Sequence, residues 1–206
     1  CSWASSIAQT ASRPFKNLIL DEINKPGYLS SGSEGSALGR LRQRQETFAD
    51  SKLLMMSTPT LDTGAITLEL DSCEAVYDWQ VPCPKCGSFQ PLRFFKEDIA
   101  GRKTGMVVWE GGREATREQI ENTARYKCGD CGELWTTQEK NDAVSMGRAI
   151  PRGMVPARAR KIGFHLNRLI SLFPGGRLDS LVMNWIDSLR DIAEMQNFYN
   201  SVLGAA

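Results

Sequence analysis

The sequence predicts an α/β fold in which a partial parallel sheet is joined to a smaller region gathered around a metal ion. Two observations carry that reading. Residues 15–20 and 52–57 are short apolar runs flanking a stretch of helical periodicity, and a strand–helix–strand succession of this length is built with parallel strands. Further on, Cys83-Pro84-Lys85-Cys86-Gly87 and Cys128-Gly129-Asp130-Cys131-Gly132 repeat one pattern. Two residues between cysteines let both thiolates reach one ion from a tight turn, and the following glycine takes the positive φ that aims backbone N–H groups at sulfur. Two such turns supply the four ligands of a closed tetrahedral zinc site. The gap between them, residues 87–127, is longer than a compact ribbon needs.

The elements follow in order. Residues 1–14 are small and polar and end in Arg13-Pro14. The run 15–20 reads as a buried strand and is followed at once by Asp21-Glu22. Residues 24–35, with Pro26, Gly27 and several serines, form a loop. From Ser36 to Phe48, the residues Leu38, Leu41, Gln45 and Phe48 share one helical face. The run 52–57 closes on Ser57-Thr58-Pro59-Thr60, where Pro59 removes a donor and stops the strand. Residues 65–73 read as a short helix, and 76–81 alternate as a strand entering the first cysteine turn. Between the cysteine pairs, 105–110 look strand-like and 114–124 helical; 136–146 read as a helix. Residues 148–161 are basic and broken by Pro and Gly, the signature of a linker or an exposed loop. Residues 162–169 read as a strand. Leu178, Leu181, Val182, Trp185, Ile186 and Leu189 then mark an amphipathic helix that extends toward Tyr199. Three regions result: 1–75, 76–147 and 148–206.

A chain of 206 residues can bury the core of one or two domains. Its net charge of +1 provides no global attraction for nucleic acid, so any such contact must come from local patches. Four of the six cysteines fall in the paired turns, leaving Cys1 and Cys73, a usage that fits a reducing compartment. No apolar run approaches the roughly 18 residues of a membrane span. The chain begins at Cys1 without an initiator methionine and stops at Gly204-Ala205-Ala206, so it is expected to be an excised piece of a longer protein.

Asp21 and Glu22, at the C-terminal end of a buried strand, suit a Walker B element. One carboxylate holds Mg²⁺ directly or through water, and its neighbour polarises an attacking water. A strand running into a solvated turn would carry the same residues. The partner strand argues for the first reading, because its Ser57-Thr58-Pro59-Thr60 end should lie on the same sheet edge, where ligands sit in open α/β sheets. Jointly these ends point to an ATPase. No G-x-x-x-x-G-K-[ST] loop occurs, and Gly101-Arg102-Lys103-Thr104 lacks the upstream glycine, so the piece is expected to bind ATP poorly unaided. For the cysteines, structural zinc competes with a rubredoxin-like iron site and with disulfides. His165, in Gly-Phe-His-Leu-Asn, reads as a packed strand histidine. Trp3, Trp79, Trp109, Trp135 and Trp185 read as core anchors, and the basic 148–161 stretch faces either DNA phosphates or solvent.

Several segments resemble the large subunit of lambda-type tailed-phage DNA-packaging terminases. They are Leu20-Asp21-Glu22-Ile23 after Arg-Pro, Ser57-Thr58-Pro59-Thr60, Val81-Pro82-Cys83-Pro84-Lys85-Cys86-Gly87-Ser88-Phe89-Gln90, Tyr126-Lys127-Cys128, Gly163-Phe164-His165-Leu166-Asn167, and Phe198-Tyr199-Asn200-Ser201-Val202-Leu203-Gly204, in that order. The resemblance covers most of the chain and implies the second half of a RecA-like P-loop ATPase sheet, with a zinc ribbon as insertion or appendage. It implies a motor that hydrolyses ATP to move double-stranded DNA into a procapsid, with Asp21 on magnesium and Glu22 as catalytic base. Ser57, Thr58 and Thr60 become the motif that couples hydrolysis to DNA movement, and Arg13, Arg40, Arg42 and Arg44 are candidates for an arginine finger. A small terminase subunit and the procapsid portal are the implied partners. Self-association and the host cytoplasm are expected, and no residue here is assigned to an endonuclease. Two other readings compete: a nucleic-acid-binding zinc-ribbon module, and a helicase-like ATPase of another mobile element.

Overall fold

The computed structural model describes residues 14–25, 28, 31–32 and 35–205. Cys1, Trp3 and Arg13 lie outside the described residues. The chain divides between Asp71 and Ser72 into two compact units.

In the first unit, β1 (Asn17–Asp21) pairs with β4 (Lys52–Met56) in parallel, from Asn17 opposite Lys52 to Asp21 opposite Met56. Between them come the short antiparallel ladder of β2 (Ser31–Gly32) with β3 (Gly35–Ser36), and the helix α1 (Ala37–Gln45). The Ser36 hydroxyl caps α1 by accepting from the Gly39 N–H. Its buried residues Ala37, Leu41 and Gln45 recur every four positions. Leu41 joins Leu20 and Ile23 in a small core flanked by Leu18, Leu53 and Met55. Gln45, buried, donates to the carbonyls of Lys52 (2.9 Å) and Lys16 (3.4 Å) and so pins the helix to the start of both strands. The predicted strand–helix–strand is therefore present. On the opposite sheet face Ile19, Leu54 and Met56 are 67%, 51% and 42% exposed. Parallel sheets ordinarily bury both faces, so this face is uncovered among the described residues. The helix α2 (Ala65–Asp71) ends the unit.

The second unit is built on β5 (Ala75–Pro82). It pairs antiparallel with β6 (Phe89–Pro91) and with β12 (Arg148–Pro151), and parallel with β13 (Ile162–His165). Residues 148–151 are thus not the expected linker or exposed loop. The fork of Arg152 grips the Asp78 carboxylate at 2.8 and 3.0 Å, and this pairing converts the start of the basic stretch into a strand. The hairpin β7 (Phe95–Glu97) with β8 (Lys103–Gly105) contains Gly101-Arg102-Lys103-Thr104, whose strand–turn–strand setting is no phosphate loop. A three-stranded sheet joins β9 (Val107–Val108), β10 (Arg125–Lys127) and β11 (Leu134–Trp135). Capping boxes from Thr116 and Thr136 start α3 (Arg117–Thr123) and α4 (Thr137–Ser145).

The predicted strand over 162–169 stops at His165; Asn167 then opens a 3₁₀ turn over Arg168–Ile170. The helix α5 (Leu178–Ser188) follows the amphipathic pattern, with Leu178, Leu181 and Val182 fully buried. It does not run on to Tyr199. Asp191 caps a separate helix, α6 (Ile192–Phe198), by accepting from the Glu194 N–H at 2.8 Å. Phe94, Phe198 and Trp185 meet edge-on or tilted in the core, and Trp135 packs on Tyr126. Trp79 and Trp109 donate to the carbonyls of Val144 and Gly112. The four described tryptophans are anchors, as expected.

Candidate functional site

The acidic end of β1 turns sharply. Glu22 has φ 56°, the left-handed region that a residue with a side chain enters at a cost of about 1–3 kcal/mol. The ladder resumes beyond it, since the Ile23 N–H donates to the Met56 carbonyl at 3.4 Å and the Asn24 N–H to the Ser57 hydroxyl at 3.2 Å. Asp21 is exposed and Glu22 half-buried. Burial, and then the Asp21 carboxylate, raise the Tyr28 hydroxyl above its ordinary pKa.

Asn24 escaped the sequence reading. Its side-chain N–H₂ donates to the Thr58 carbonyl at 2.9 Å and lies 3.5 Å from the Thr60 hydroxyl. Its side-chain oxygen accepts the Ile66 N–H at the start of α2, at 2.9 Å. Through its backbone N–H on Ser57 and its side-chain amide on Thr58 and Thr60, this one residue therefore ties the acidic turn to the Ser/Thr segment. The only sequence signal was an asparagine in a turn, a residue whose side chain habitually bonds nearby backbone. Among the described finger candidates, Arg42 is committed to Glu69 at 2.6 Å, while Arg40 and Arg44 stand on α1 with it. No arginine is singled out.

The four cysteines lie in the second unit. Each pair closes the same turn: Cys83 N–H donates to the Ser88 carbonyl and Gly87 N–H to the Cys83 carbonyl, just as Cys128 N–H donates to Glu133 and Gly132 N–H to Cys128. Gly87 and Gly132 have φ 72° and 77°, the conformation for which glycine is chosen. The Sγ atoms all lie within 4.8 Å of one another, with Cys83 to Cys131 at 3.7 Å and Cys86 to Cys128 at 4.0 Å. Zinc–sulfur bonds of about 2.3 Å in a tetrahedron put sulfurs about 3.8 Å apart. Disulfides would need about 2.05 Å. The donor set therefore fits one tetrahedral thiophilic ion.

Hydrogen bonding around the sulfurs fits as well. The N–H groups of Lys85 and Cys86 approach Cys83 Sγ at 3.4 Å, and that of Asp130 approaches Cys128 Sγ at 3.5 Å. Burial opposes ionisation of Cys128, but the N–H groups of Cys131 and Asp130 and the Gln90 amide outweigh it and bring its pKa down to about 6. Cys131 goes the other way, to about 12. The Glu133 N–H favours its thiolate, while burial and the neighbouring Cys128, Cys86 and Cys83 oppose it. Sulfurs this close cannot all carry charge without a cation among them.

His165, on β13, has Nε2 2.9 Å from the Gly204 carbonyl and Nδ1 3.9 Å from Asp78, the packed strand role expected of it. No helix among the described residues is long and apolar enough to cross a membrane.

These features define a class: a mixed α/β protein with an acidic strand end beside a Ser/Thr segment, and a four-cysteine cluster able to hold a metal. The model of the family described as phage terminase large subunit gpA, ATPase domain, matches residues 1–148, and the chain belongs to that family. The matched range includes Asp21, Glu22, the Ser57–Thr60 segment and all four cysteines. Comparison with curated proteins and with solved structures gives no match.

Proposed function

We propose that the chain is part of the ATP-driven motor of a viral DNA-packaging terminase. In this reading Asp21 holds the Mg²⁺ of Mg–ATP, directly or through water, and Glu22 takes a proton from the attacking water. Magnesium supplies charge neutralisation on the phosphates. Ser57, Thr58 and Thr60 sense that chemistry and pass it to DNA movement. The phosphate-cradling loop comes from residues outside these 206. The observation that carries the reading is the parallel register of β1 and β4, which brings Asp21 opposite Met56 and so sets the acidic pair beside the Ser/Thr segment. Parallel strands end on one sheet edge, where nucleotide chemistry is done in such sheets.

Zinc is the proposed ion at Cys83, Cys86, Cys128 and Cys131, in a structural role, because four thiolates leave no open position for water. The proposed partners are double-stranded DNA, a small terminase subunit and the procapsid portal, with self-association, in the host cytoplasm. The uncovered face of Ile19, Leu54 and Met56 is suited to a covering layer of helices from the remainder of the domain.

The test is Glu22→Gln in the intact terminase. ATP binding should persist while turnover falls at least about 100-fold, the scale of general-base catalysis. Asp21→Asn should weaken Mg–ATP binding as well. Wild-type turnover in Glu22→Gln would overturn the assignment.

A further inference from the structure

Gln90 sits on β6, in the arm that leaves the first cysteine turn, yet its side chain serves the second turn. It is 8% exposed. Its Oε1 accepts the Gly129 N–H at 2.8 Å, and its Nε2 lies 3.1 Å from Cys128 Sγ. The amide cannot be reversed. Gly129 N–H only donates, so the oxygen must face it, and the N–H₂ is then left against sulfur. A donor held on a buried sulfur favours thiolate over thiol, and apart from the Sγ–Sγ approaches of the cysteines themselves, Gln90 provides the one side-chain donor to these sulfurs among the described residues.

We propose that Gln90 is the positioning residue of the metal centre. It holds the Cys128 thiolate and the Gly129 backbone in ligand register and locks the second turn to the first. The inference rests on the zinc reading above. Three observations bear on it. Gln90 crosses between the turns, bridging positions 38 and 39 residues apart in sequence. Its backbone is fixed by the β5–β6 ladder, where Gln90 pairs with Val81, two residues before Cys83. The space beside it is closed: a Cβ on Gly129 would stand 3.2 Å from Gln90 Oε1, so the glycine lets the backbone approach the amide. The other three sulfurs are served differently. Cys86 and Cys131 are exposed, and Cys83 takes its hydrogen bonds from backbone N–H groups of its own turn. Among the described residues, Cys128 alone of the four is anchored by a side chain other than a cysteine. Outer-shell partners of this kind govern how tightly a ligand set keeps its ion.

The experiment compares wild type, Gln90→Met and Gln90→Glu in the full chain. Gln90→Met keeps the bulk and removes both hydrogen bonds. Gln90→Glu keeps an oxygen for Gly129 and removes the N–H₂ from sulfur. Zinc content is measured first, then the rate of zinc transfer to a colorimetric chelator, then the thiolate-to-metal charge-transfer bands of the Co²⁺-substituted protein. Wild type should bind about one zinc with tetrahedral Co²⁺ bands. Gln90→Met should release zinc about 10–100-fold faster, and both variants should shift the charge-transfer bands to lower energy as sulfur loses its donor. A wild type without metal would overturn the zinc reading itself. A wild type with metal, beside variants that match its release rate and its spectrum, would overturn the role of Gln90 alone. If Gln90→Met does not fold, Gln90→Glu decides: unchanged bands there refute the N–H to sulfur bond.

Discussion

Asn24→Ala is the perturbation that tests most directly whether the acidic turn and the Ser/Thr segment form one site. It deletes the 2.9 Å bonds to the Thr58 carbonyl and the Ile66 N–H, together with the 3.5 Å approach to Thr60. Each bond contributes about 0.5–1.5 kcal/mol net, and the groups left behind are half-buried, so water replaces part of the loss. The local cost is about 1–3 kcal/mol. Through the Boltzmann factor, opening of residues 57–66 should become about 5–150-fold more frequent. Native-state hydrogen exchange reads this at the Ile66 amide, whose acceptor is removed outright. Asn24→Asp should fall between, since its carboxylate still accepts from Ile66 but no longer donates to Thr58. Gly64→Ala strikes the same place from the other side: its Cβ would meet the Leu61 carbonyl at 2.9 Å and Asn24 at 3.2 Å. In the intact terminase the consequence should be a lower kcat with KM little changed. If Ile66 exchanges within a factor of about 2 of wild type in Asn24→Ala, the tie is not energetic. If loosening spreads equally through residues 72–206, the effect is not local.

Cys128→Ser should abolish stoichiometric zinc binding and raise the protease sensitivity of residues 83–135, leaving exchange protection of β1 and β4 intact. Metal analysis with limited proteolysis checks it, and about one zinc retained per chain would refute the shared site. Lys140 is fully buried, and its ammonium donates to the carbonyls of Leu169, Ser171 and Gly176 at 2.9, 3.1 and 2.9 Å. Lys140→Met should lower stability by about 2–4 kcal/mol, because it orphans buried carbonyls while relieving a buried charge, as denaturant titration would read. Burial lowers the Lys140 pKa from its ordinary 10.5 to about 8. Between these values the folded chain has released a proton that the unfolded chain still holds, so this group's contribution to stability rises with pH across that window. Melting curves from pH 7 to pH 10 should show the rise in wild type and lose it in Lys140→Met.

Much of this protein was legible in one dimension. The apolar runs at 15–20 and 52–57 and the periodic stretch between them specify a parallel pair with a crossover helix, because each burial pattern is a property of consecutive residues. The cysteine turns were equally legible: spacing and the trailing glycine are local constraints, and both turns close alike. Helix α5 announced itself through Leu178, Leu181 and Val182. What the sequence could not show depends on partners brought from afar. Arg148–Pro151 is a strand because β5 lies beside it and Asp78 engages Arg152, and composition alone made it a loop. Asn24, Gln90 and Lys140 looked like ordinary polar residues. Their roles arise from carbonyls, N–H groups and a sulfur that lie 29 to 42 residues away along the chain, apart from the turn bonds at their own positions. Local pattern records which side of an element is buried. Only the tertiary structure decides which buried polar groups meet, because a hydrogen bond needs both partners within about 3 Å and sequence carries just one of them at a time.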